Sequence, residues 1–383
     1  RIFEEIEFKI EKIEGKGKEI EECINNFVRP FDISKPPLIR VGLMELKEDE
    51  SLFLFDMHHI ISDGTTLGLL VKELTRIYAG EVLPEPEFQY RDYVLSQNKF
   101  LESEYMRVQE KYWLSKFEGE LPVLNLPTDY QRPALQKFVG GHMDFRIDGS
   151  IFEGLKTLCK ENECTLFAAI LTAYGILLSK YSGQEEIIIG TGSAGRNAAE
   201  LANMMGLFVN SLPIRIYPED KKIVRHLLSE IKACSIEMLE NQDYQFQDLV
   251  DKLGIVRDSS RHPMFDAAFI FLNMDLPSVS IGGLEFIPYR VENKTSKLDI
   301  SLYASEEGDG LALTFEYNSE LFKVSSINRM AQHFVNIIEY MVNRPDDSIS
   351  DIEYISDIEK AAILKTFNDN DYKIDDTCTI QSL

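Results

Sequence analysis

Two adjacent histidines, His58 and His59, are followed closely by Asp63 and Gly64. Histidine suits proton transfer because its unperturbed pKa of about 6.5 lies near neutral pH. Asp63 could pair with an arginine and fix the loop, and a glycine lets its backbone N–H approach a ligand closely enough to stabilise an oxyanion. The four residues therefore predict a base beside an oxyanion donor, which is the chemistry of an acyl-transfer enzyme.

The elements around the histidines can be predicted from the apolar pattern. The apolar run Ser51–Met57 precedes them, and a second run, Leu38–Met44, lies before it across the charged turn Lys47–Glu50, which predicts a strand hairpin. Residues Thr65–Tyr78 repeat leucines at helical spacing and end near Gly80, so the histidines fall in a strand-to-helix turn. If the strand persists, adjacent side chains point to opposite faces, and only one histidine needs to face a cavity.

Two other interpretations of the histidine pair stay open at this point. The pair can be purely structural, packing against its neighbours without any reaction. A metal site would need a third histidine or cysteine at ligand spacing, and the sequence offers none near the pair. Metal binding is therefore the less favoured alternative, and the rest of the chain decides between a structural and a catalytic pair.

The composition excludes several classes of protein. The 383 residues exceed the roughly 250 to 300 at which a single core usually stops growing, so two domains are expected. Apolar residues make up 44% of the chain and charged residues 27%, the balance of a globular rather than a disordered protein. The net charge of −24 disfavours binding to nucleic acid or to an anionic membrane.

The cysteines and the ends of the chain bear on its location. The five cysteines show neither a disulfide framework nor zinc-ligand spacing, and this favours a reducing cytoplasm. They are Cys23, Cys159, Cys164, Cys234 and Cys378. The longest apolar run, Leu166–Leu178, is too short to span a bilayer, which needs about 20 residues. The chain begins without methionine or a signal-peptide pattern, so we expect a fragment of a longer protein.

The chain divides at a stretch rich in turn residues, Leu126–Pro133, which predicts a boundary near residues 120 to 140. Residues 90 to 118, before it, are predicted as one long helix. Beyond it helices and strands alternate, so each half is expected to be a sheet with helices packed against it. The later predicted helices cover 152–160, 165–181, a segment ending near 241, 245–253 and 324–343, and the predicted strands cover 143–147, 186–190, 206–217, 264–272, 284–291, 298–304 and 311–317.

Two glycine motifs point to other functions and are set aside. Gly190–Gly195 fits the GxGxxG pattern of dinucleotide-binding folds, but Gly206 stops the helix that should follow, and no acidic residue lies about 20 positions on. Gly140–Met143 is similar to a carrier-protein attachment sequence, but Met143 stands where the modified serine would be. A glycine-rich turn explains the first motif, and a turn into a strand explains the second.

The heptad His58–Gly64 fits the pattern HHxxxDG, and with it the chain resembles the condensation domains of nonribosomal peptide synthetases, which have the chloramphenicol acetyltransferase fold. The resemblance extends over about residues 1 to 365, although two early blocks of the family are absent. Four further blocks occur in the family's order: Tyr90–Tyr93, Gly206–Arg215, Asn241–Gln247 and Arg257–Met264.

This resemblance implies an α/β fold in which two chloramphenicol acetyltransferase-like subdomains form a V-shaped pseudo-dimer with a central tunnel. Residues 1–135 would be the N-terminal subdomain, with its start missing, and residues 136–365 the C-terminal subdomain. Residues 366–383, which include an acidic tail, would be a linker toward a following adenylation domain.

The resemblance also implies roles for the site residues. His59 would be catalytic, His58 would support it, and the N–H of Gly64 stays the candidate oxyanion donor. Asp63 corresponds to the aspartate that the family pairs with the arginine of a later block, here Arg215, so this pair would join the two halves. Packing and loop-fixing roles, rather than chemistry, are expected for Asn210, Tyr90, Asp243, Arg257 and Arg261.

The implied reaction is amide formation, in which the amine of an acceptor aminoacyl thioester attacks the carbonyl of a donor aminoacyl or peptidyl thioester. Both substrates would arrive on phosphopantetheine arms of donor and acceptor carrier proteins, with no cofactor or metal bound directly. An adenylation domain would be a further partner, and nucleic acid and membrane would not. The alternatives are an epimerization domain or an acyl-coenzyme A dependent acyltransferase of the same fold, or a non-catalytic carrier-docking domain.

Overall fold

The computed structural model describes residues 6–272, 279–289, 291 and 294–368. The elements of its first part are β1 (Ile10–Glu14), α1 (Ile20–Phe27), β2 (Ile39–Lys47), β3 (Glu50–Met57), α2 (Gly64–Tyr78), α3 (Tyr90–Leu101) and α4 (Glu104–Lys116). The three strands form one sheet of order β1-β2-β3, in which β1 is parallel and β3 antiparallel to the central β2.

The predicted hairpin before the histidines is confirmed. β2 and β3 pair antiparallel, with Ile39 opposite Met57 at the end that leads into the motif. One face of the sheet packs on α1, where Gly42 leaves room for the ring of Phe27 and Met44 is fully buried. This small core fixes the strand that ends immediately before the histidines.

The second part of the chain holds a larger sheet. Its elements are β4 (Gly140–Ile147), α5 (Gly149–Glu161), α6 (Leu166–Ser182), β5 (Ile187–Ser193), β6 (Asn210–Ile216), α7 (Val224–Glu240), α8 (Phe246–Leu253), β7 (Ala267–Phe271), β8 (Val279–Ile281), β9 (Leu284–Phe286), β10 (Ile300–Glu307), β11 (Gly310–Asn318), α9 (Val324–Asn343) and α10 (Asp357–Ala361). Six strands form a mixed sheet of order β4-β11-β10-β7-β5-β6, and β8 and β9 form a separate two-stranded ribbon.

Much of the larger core lies between the six-stranded sheet and helices α5, α6, α7 and α9. Helix α6 is buried along most of its length and contacts α5, α7 and α9 as well as β5 and β7. Its Leu171, Tyr174 and Leu178 are fully buried. Because α6 carries apolar side chains all round, it can only be a central core helix.

Three predicted elements differ most from the structure, and one of them, the strand expected over residues 206–217, begins only at Asn210. The single helix expected over residues 90–118 is two helices, because Ser103 begins a new one by accepting a hydrogen bond from the Met106 N–H. The strand expected over residues 284–291 is limited to β9. Of the acidic tail Asn368–Asp371, only Asn368 is described, and most of the predicted linker 366–383 lies outside the described residues.

Helix α4 bears on the division of the chain. It precedes the predicted boundary at residue 135, yet its Met106 and Trp113, and Phe117 just after it, are buried in the larger core with side chains of the second half. Residues on the N-terminal side of the predicted boundary therefore pack with residues of the second half. The division between residues 135 and 136 stays a prediction. Among the residues described, no single helix is long and apolar enough to cross a membrane; α5 and α6 reach that length and apolarity only as a pair, bent by 109°.

Candidate functional site

The histidines lie in a tight turn rather than in the strand. β3 ends at Met57, and a single 3-10 turn, His59–Ile61, follows, with His58 at its N-terminal cap. The His58 Nδ1 accepts a hydrogen bond from the Ile60 N–H at 3.1 Å. Strand alternation therefore does not orient the two rings; the turn does, and it leaves His58 half-buried and His59 exposed. We call residues 58–62 the histidine turn.

The tautomer of His59 follows from its hydrogen bond. Its Nδ1 lies 2.7 Å from the carbonyl oxygen of Ser62. A carbonyl can only accept, so Nδ1 carries the hydrogen and, in the neutral ring, Nε2 carries the lone pair. The Ser62 N–H in turn donates to the His59 carbonyl at 3.3 Å, which closes the turn. In the neutral ring, Nε2 is thus the nitrogen that can accept a proton or a hydrogen bond.

Asp63 begins the next element and is almost completely buried. It caps α2 by accepting hydrogen bonds at 2.8 Å from both the N–H and the hydroxyl of Thr66. Its other oxygen accepts the Phe208 N–H at 3.2 Å, and the Arg196 guanidinium donates to both oxygens at 3.0 and 3.1 Å. The side chains of Asp63 and Arg196 are 1% and 6% exposed. We call Asp63, Thr66, Arg196, Gly206 and Phe208 the junction.

The predicted pairing of Asp63 with Arg215 is wrong. Arg215 forms an ion pair with Glu186 and donates to the backbone carbonyls of Lys116 and Glu118. It lies near the far end of β6, five residues beyond Asn210, and an extended strand covers roughly 17 Å over that interval. The segment that reaches Asp63 is the one just before β6, so Arg215 fixes the chain after α4 instead.

Arg196, and not the predicted Arg215, is the arginine that pairs with Asp63. It follows directly on Gly190–Gly195, the glycine-rich turn set aside as a nucleotide motif. Gly195 has φ +63°, and a Cβ there would lie 2.0 Å from the Phe208 carbonyl oxygen. Only glycine therefore lets this turn bring Arg196 to Asp63. A glycine-rich turn that ends in arginine was the available signal.

Arg196 is held by several further contacts. One guanidinium nitrogen donates to the carbonyls of Leu201 and Met204, both at 2.6 Å. The guanidinium also lies 4.1 Å from the centre of the Phe208 ring, a cation–π distance. Its Nε is buried without a hydrogen-bond partner among the described residues. The charge is thus confined to one orientation, toward Asp63.

Thr66 and Tyr90 complete the contact between the halves. The Thr66 hydroxyl lies 2.8 Å from the Gly206 carbonyl oxygen and accepts the Gly206 N–H at 3.0 Å. Tyr90 donates its hydroxyl to the Leu207 carbonyl at 2.7 Å, and burial raises the pKa of Tyr90, which keeps the donor protonated. A Cβ on Gly206 would lie 2.1 Å from the Tyr90 ring, so the two backbones approach as closely as glycine permits.

Gly64, the candidate oxyanion donor, is the first residue of α2 and is exposed. The N–H groups of the first helical turn have no acceptor within the helix and carry the positive end of its dipole. The structure therefore places a hydrogen-bond donor five residues from His59, at the end of the histidine turn.

The residues expected to pack and fix loops make contacts of that kind. Asn210 donates to the carbonyls of Gln242 and Tyr244 at 2.9 and 2.8 Å. Arg261 donates to the Leu124 carbonyl at 3.0 Å and pairs with a carboxylate. The remaining two have polar partners of their own: Asp243 accepts from Gln109 and Asn197, and Arg257 lies 3.6 Å from Asp251. In the described part of the chain, no group of three or more histidine, cysteine or acidic side chains could hold a metal ion.

The chain is similar to known proteins over nearly its whole length. The family model described as Condensation domain matches residues 1–364. The chain is 40% identical over 385 aligned residues to gramicidin S synthase 2 of Brevibacillus brevis, covering 100% of this chain and 9% of that protein. It is 41% identical over 369 residues to bacitracin synthase 3 of Bacillus licheniformis, covering 96% of this chain and 6% of that protein. The chain thus spans about a tenth or less of these relatives.

A solved structure shows the same fold. The crystal structure of a four-domain nonribosomal peptide synthetase bound to AMP and glycine superimposes with a TM-score of 0.84 at 23% identity, covering 93% of this chain and 29% of that one. At this identity the likeness concerns the fold alone, and it confirms the predicted α/β class with the chloramphenicol acetyltransferase-like architecture.

Proposed function

This chain belongs to the condensation-domain family of nonribosomal peptide synthesis, whose members are amide-forming acyltransferases, and on that premise we propose that His59 is its catalytic residue. The observation that carries the proposal is the hydrogen bond from the His59 Nδ1 to the Ser62 carbonyl. In the neutral ring this bond leaves Nε2 as the hydrogen-bond acceptor, on an exposed residue, while Asp63 of the same motif is buried in the junction.

The proposed reaction needs little basicity. An α-amine with a pKa of about 8 is roughly a quarter unprotonated at pH 7.5. Its nitrogen attacks the donor thioester carbonyl, the C–N bond forms, and the C–S bond then breaks and releases the thiol. Nε2 of His59 accepts a hydrogen bond from the amine and orients it, or takes the amine hydrogen that must leave. That proton ends on the leaving sulfur to give the thiol, and His59 returns to its neutral form. Orientation alone can lower the barrier by up to ~7 to 11 kcal/mol.

The other motif residues support this step in the proposal. The Gly64 N–H donates to the oxyanion that forms as the amine attacks, a contribution of about 3 to 4 kcal/mol in comparable sites. His58 orients the turn as its N-terminal cap. Asp63 holds the start of α2 against the second half through Arg196, not Arg215. Neither Asp63 nor Arg196 takes part in the chemistry.

Substrates and partners belong to the same proposal. The two thioesters are carried on the phosphopantetheine arms of a donor and an acceptor carrier protein, and an adenylation domain is the expected neighbour. The support is that the matched relatives are named as peptide synthases and are many times longer than this chain. The family match does not favour an epimerization domain, an acyl-coenzyme A dependent enzyme or a non-catalytic docking domain.

The decisive experiment compares His59→Ala with the wild-type chain. With one aminoacyl-loaded donor carrier and one loaded acceptor carrier, we expect dipeptidyl-carrier formation to fall at least about 100-fold. Because His59 is exposed, the free energy of unfolding should change by less than about 0.5 kcal/mol. Intact-protein mass spectrometry of both carriers measures the product.

The matched control is His226→Ala, which removes an exposed histidine on α7 and should leave the rate unchanged. Full dipeptide formation by His59→Ala would remove His59 from the mechanism. Racemised aminoacyl product from a single loaded carrier, with no dipeptide from two, would instead identify an epimerization domain.

A further inference from the structure

We infer that Arg40 and Phe31 act as a positioning pair that holds the His58 ring and, through it, the histidine turn. The inference rests on the proposed function of His59. It adds two residues outside the HHxxxDG motif, one on a strand and one in the loop after α1, to the groups on which the rate depends.

Arg40 is fixed on the strand pair that leads into the motif. It lies on β2 directly opposite Asp56 of β3, and the two side chains form an ion pair. The side chains are only 11% and 14% exposed, so this pair is shielded from solvent much more than a surface pair. Asp56 stands two residues before His58, on the last residues of the strand.

Arg40 also fixes the loop that follows α1. Its guanidinium donates to the Arg29 carbonyl at 2.9 Å and lies 4.0 Å from the centre of the Phe31 ring. The loop is therefore pinned at two positions by one side chain. A planar guanidinium can stack on a ring while its edge bonds to a carboxylate and a carbonyl, which an ammonium group cannot do equally well.

Phe31 contacts His58 in turn. The two ring centres are 6.3 Å apart and the rings are nearly perpendicular, at 84°, an edge-to-face arrangement. The His58 N–H donates to the Leu38 carbonyl at 3.0 Å, which anchors its backbone to the residue just before β2 begins. The ring orientation is thus set by Phe31 on one side and by the Ile60 N–H, which donates to Nδ1, on the other.

His58 transmits this order to the catalytic residue. The His58 carbonyl accepts the Ile61 N–H at 3.1 Å and the Ser62 hydroxyl at 3.4 Å. Ser62 supplies the carbonyl that accepts from His59 Nδ1. If the His58 ring rotates, its Nδ1 no longer accepts the Ile60 N–H. The Ser62 carbonyl, which fixes the His59 tautomer, then moves with the histidine turn.

The test is a split between kcat and KM. Phe31→Leu keeps apolar bulk but removes the ring, so we expect kcat for dipeptide formation to fall about three- to ten-fold, with KM for both loaded carriers unchanged. Phe31→Tyr keeps the ring and should restore kcat to within about two-fold. Arg40→Lys keeps the charge but not the planar stack and should lower kcat about two- to five-fold.

The matched control is Phe100→Leu, which removes a partly exposed ring paired with Tyr105 at 5.4 Å on α3 and α4. A second readout does not depend on turnover. The full chain has six histidines, so NMR of the ¹⁵N-histidine-labelled protein gives few imidazole signals. Phe31→Leu should shift the signals of both His58 and His59, whereas Phe100→Leu should shift neither.

The outcomes separate the two proposals. Unshifted signals in Phe31→Leu, or a loss that appears in KM instead of kcat, would overturn the positioning pair while leaving His59 in place. If His59→Ala itself keeps full activity, the proposed function fails, whatever Phe31 does. If Phe31→Leu does not fold, as judged by its thermal unfolding, the Arg40→Lys signals decide in its place by the same criterion.

Discussion

The histidine turn and the junction adjoin in the sequence but differ in almost every physical respect. In the turn, His59 is exposed, and its ring makes a hydrogen bond to a carbonyl three residues away. In the junction, Asp63 is buried and bonded to residues more than 130 positions later in the chain. The turn is local and open, whereas the junction is long-range and closed.

This difference places two kinds of site, one open and one closed, within seven residues of chain. The proposed role of His59 requires an accessible ring whose Nε2 can accept a hydrogen bond, and the turn leaves the ring exposed with only its Nδ1 engaged among the described residues. A buried carboxylate, in contrast, is stable only when its oxygens are bonded, because an unpaired buried charge is very costly. Substitutions in the turn should therefore change rate before stability, and substitutions in the junction should change stability first.

The largest effect should follow from Asp63→Ala. The variant leaves the Arg196 charge buried without its carboxylate, so we expect the free energy of unfolding to fall by about 3 to 5 kcal/mol. Chemical denaturation measures it. In double-mutant cycles the effects of Asp63→Ala and Arg196→Ala should be strongly non-additive, whereas those of Asp63→Ala and Arg215→Ala should add within about 0.5 kcal/mol. Additive effects of Asp63→Ala and Arg196→Ala would contradict the contrast between the histidine turn and the junction.

A second buried carboxylate, Asp266, should make the stability of the protein depend on pH. Burial first, and then the nearby Asp299, raise the pKa of Asp266 to about 6, although Arg261 opposes the shift. An acid whose pKa is higher in the folded than in the unfolded state binds more protons when folded, so stability should decline as pH rises from about 4 to 6. The full decline corresponds to at most about 3 kcal/mol.

Asp266→Asn should remove that slope, as measured by unfolding at successive pH values. Asp309→Asn, at an exposed position in the turn between β10 and β11, is the control and should leave the slope as it is. A slope that persists in Asp266→Asn would show that a different group is responsible.

The smallest effects should come from two glycines with opposite signs. Gly206→Ala places a Cβ against the Tyr90 ring in the junction, and we expect a loss of about 1 to 3 kcal/mol of unfolding free energy. Gly68→Ala, in the middle of α2 with nothing within 4 Å of the new Cβ, should gain about 0.5 to 1 kcal/mol. Thermal unfolding of the two variants side by side distinguishes them, and equal signs would contradict the close approach at Gly206.

Local pattern was enough for most elements near the site. The hairpin before the histidines follows from two apolar runs around a charged turn, and α2 follows from its leucine spacing. Helix α9 has the predicted bounds, Val324–Asn343. The helix over residues 90–118 was wrong because one serine cap, Ser103, outweighs a continuous charged pattern.

By itself, the sequence determined the family, the strand-to-turn-to-helix order of the motif and the residue types available for chemistry, because these depend on neighbours a few positions apart. Only the tertiary structure decided which arginine meets Asp63. Arg196 follows β5 and Arg215 lies on the neighbouring strand β6, and their distance from Asp63 depends on where the chain before β6 crosses to the first half. Gly195 and Gly206 permit that crossing, because a Cβ at either position would collide with the facing residue. A local sequence pattern does not show such contacts.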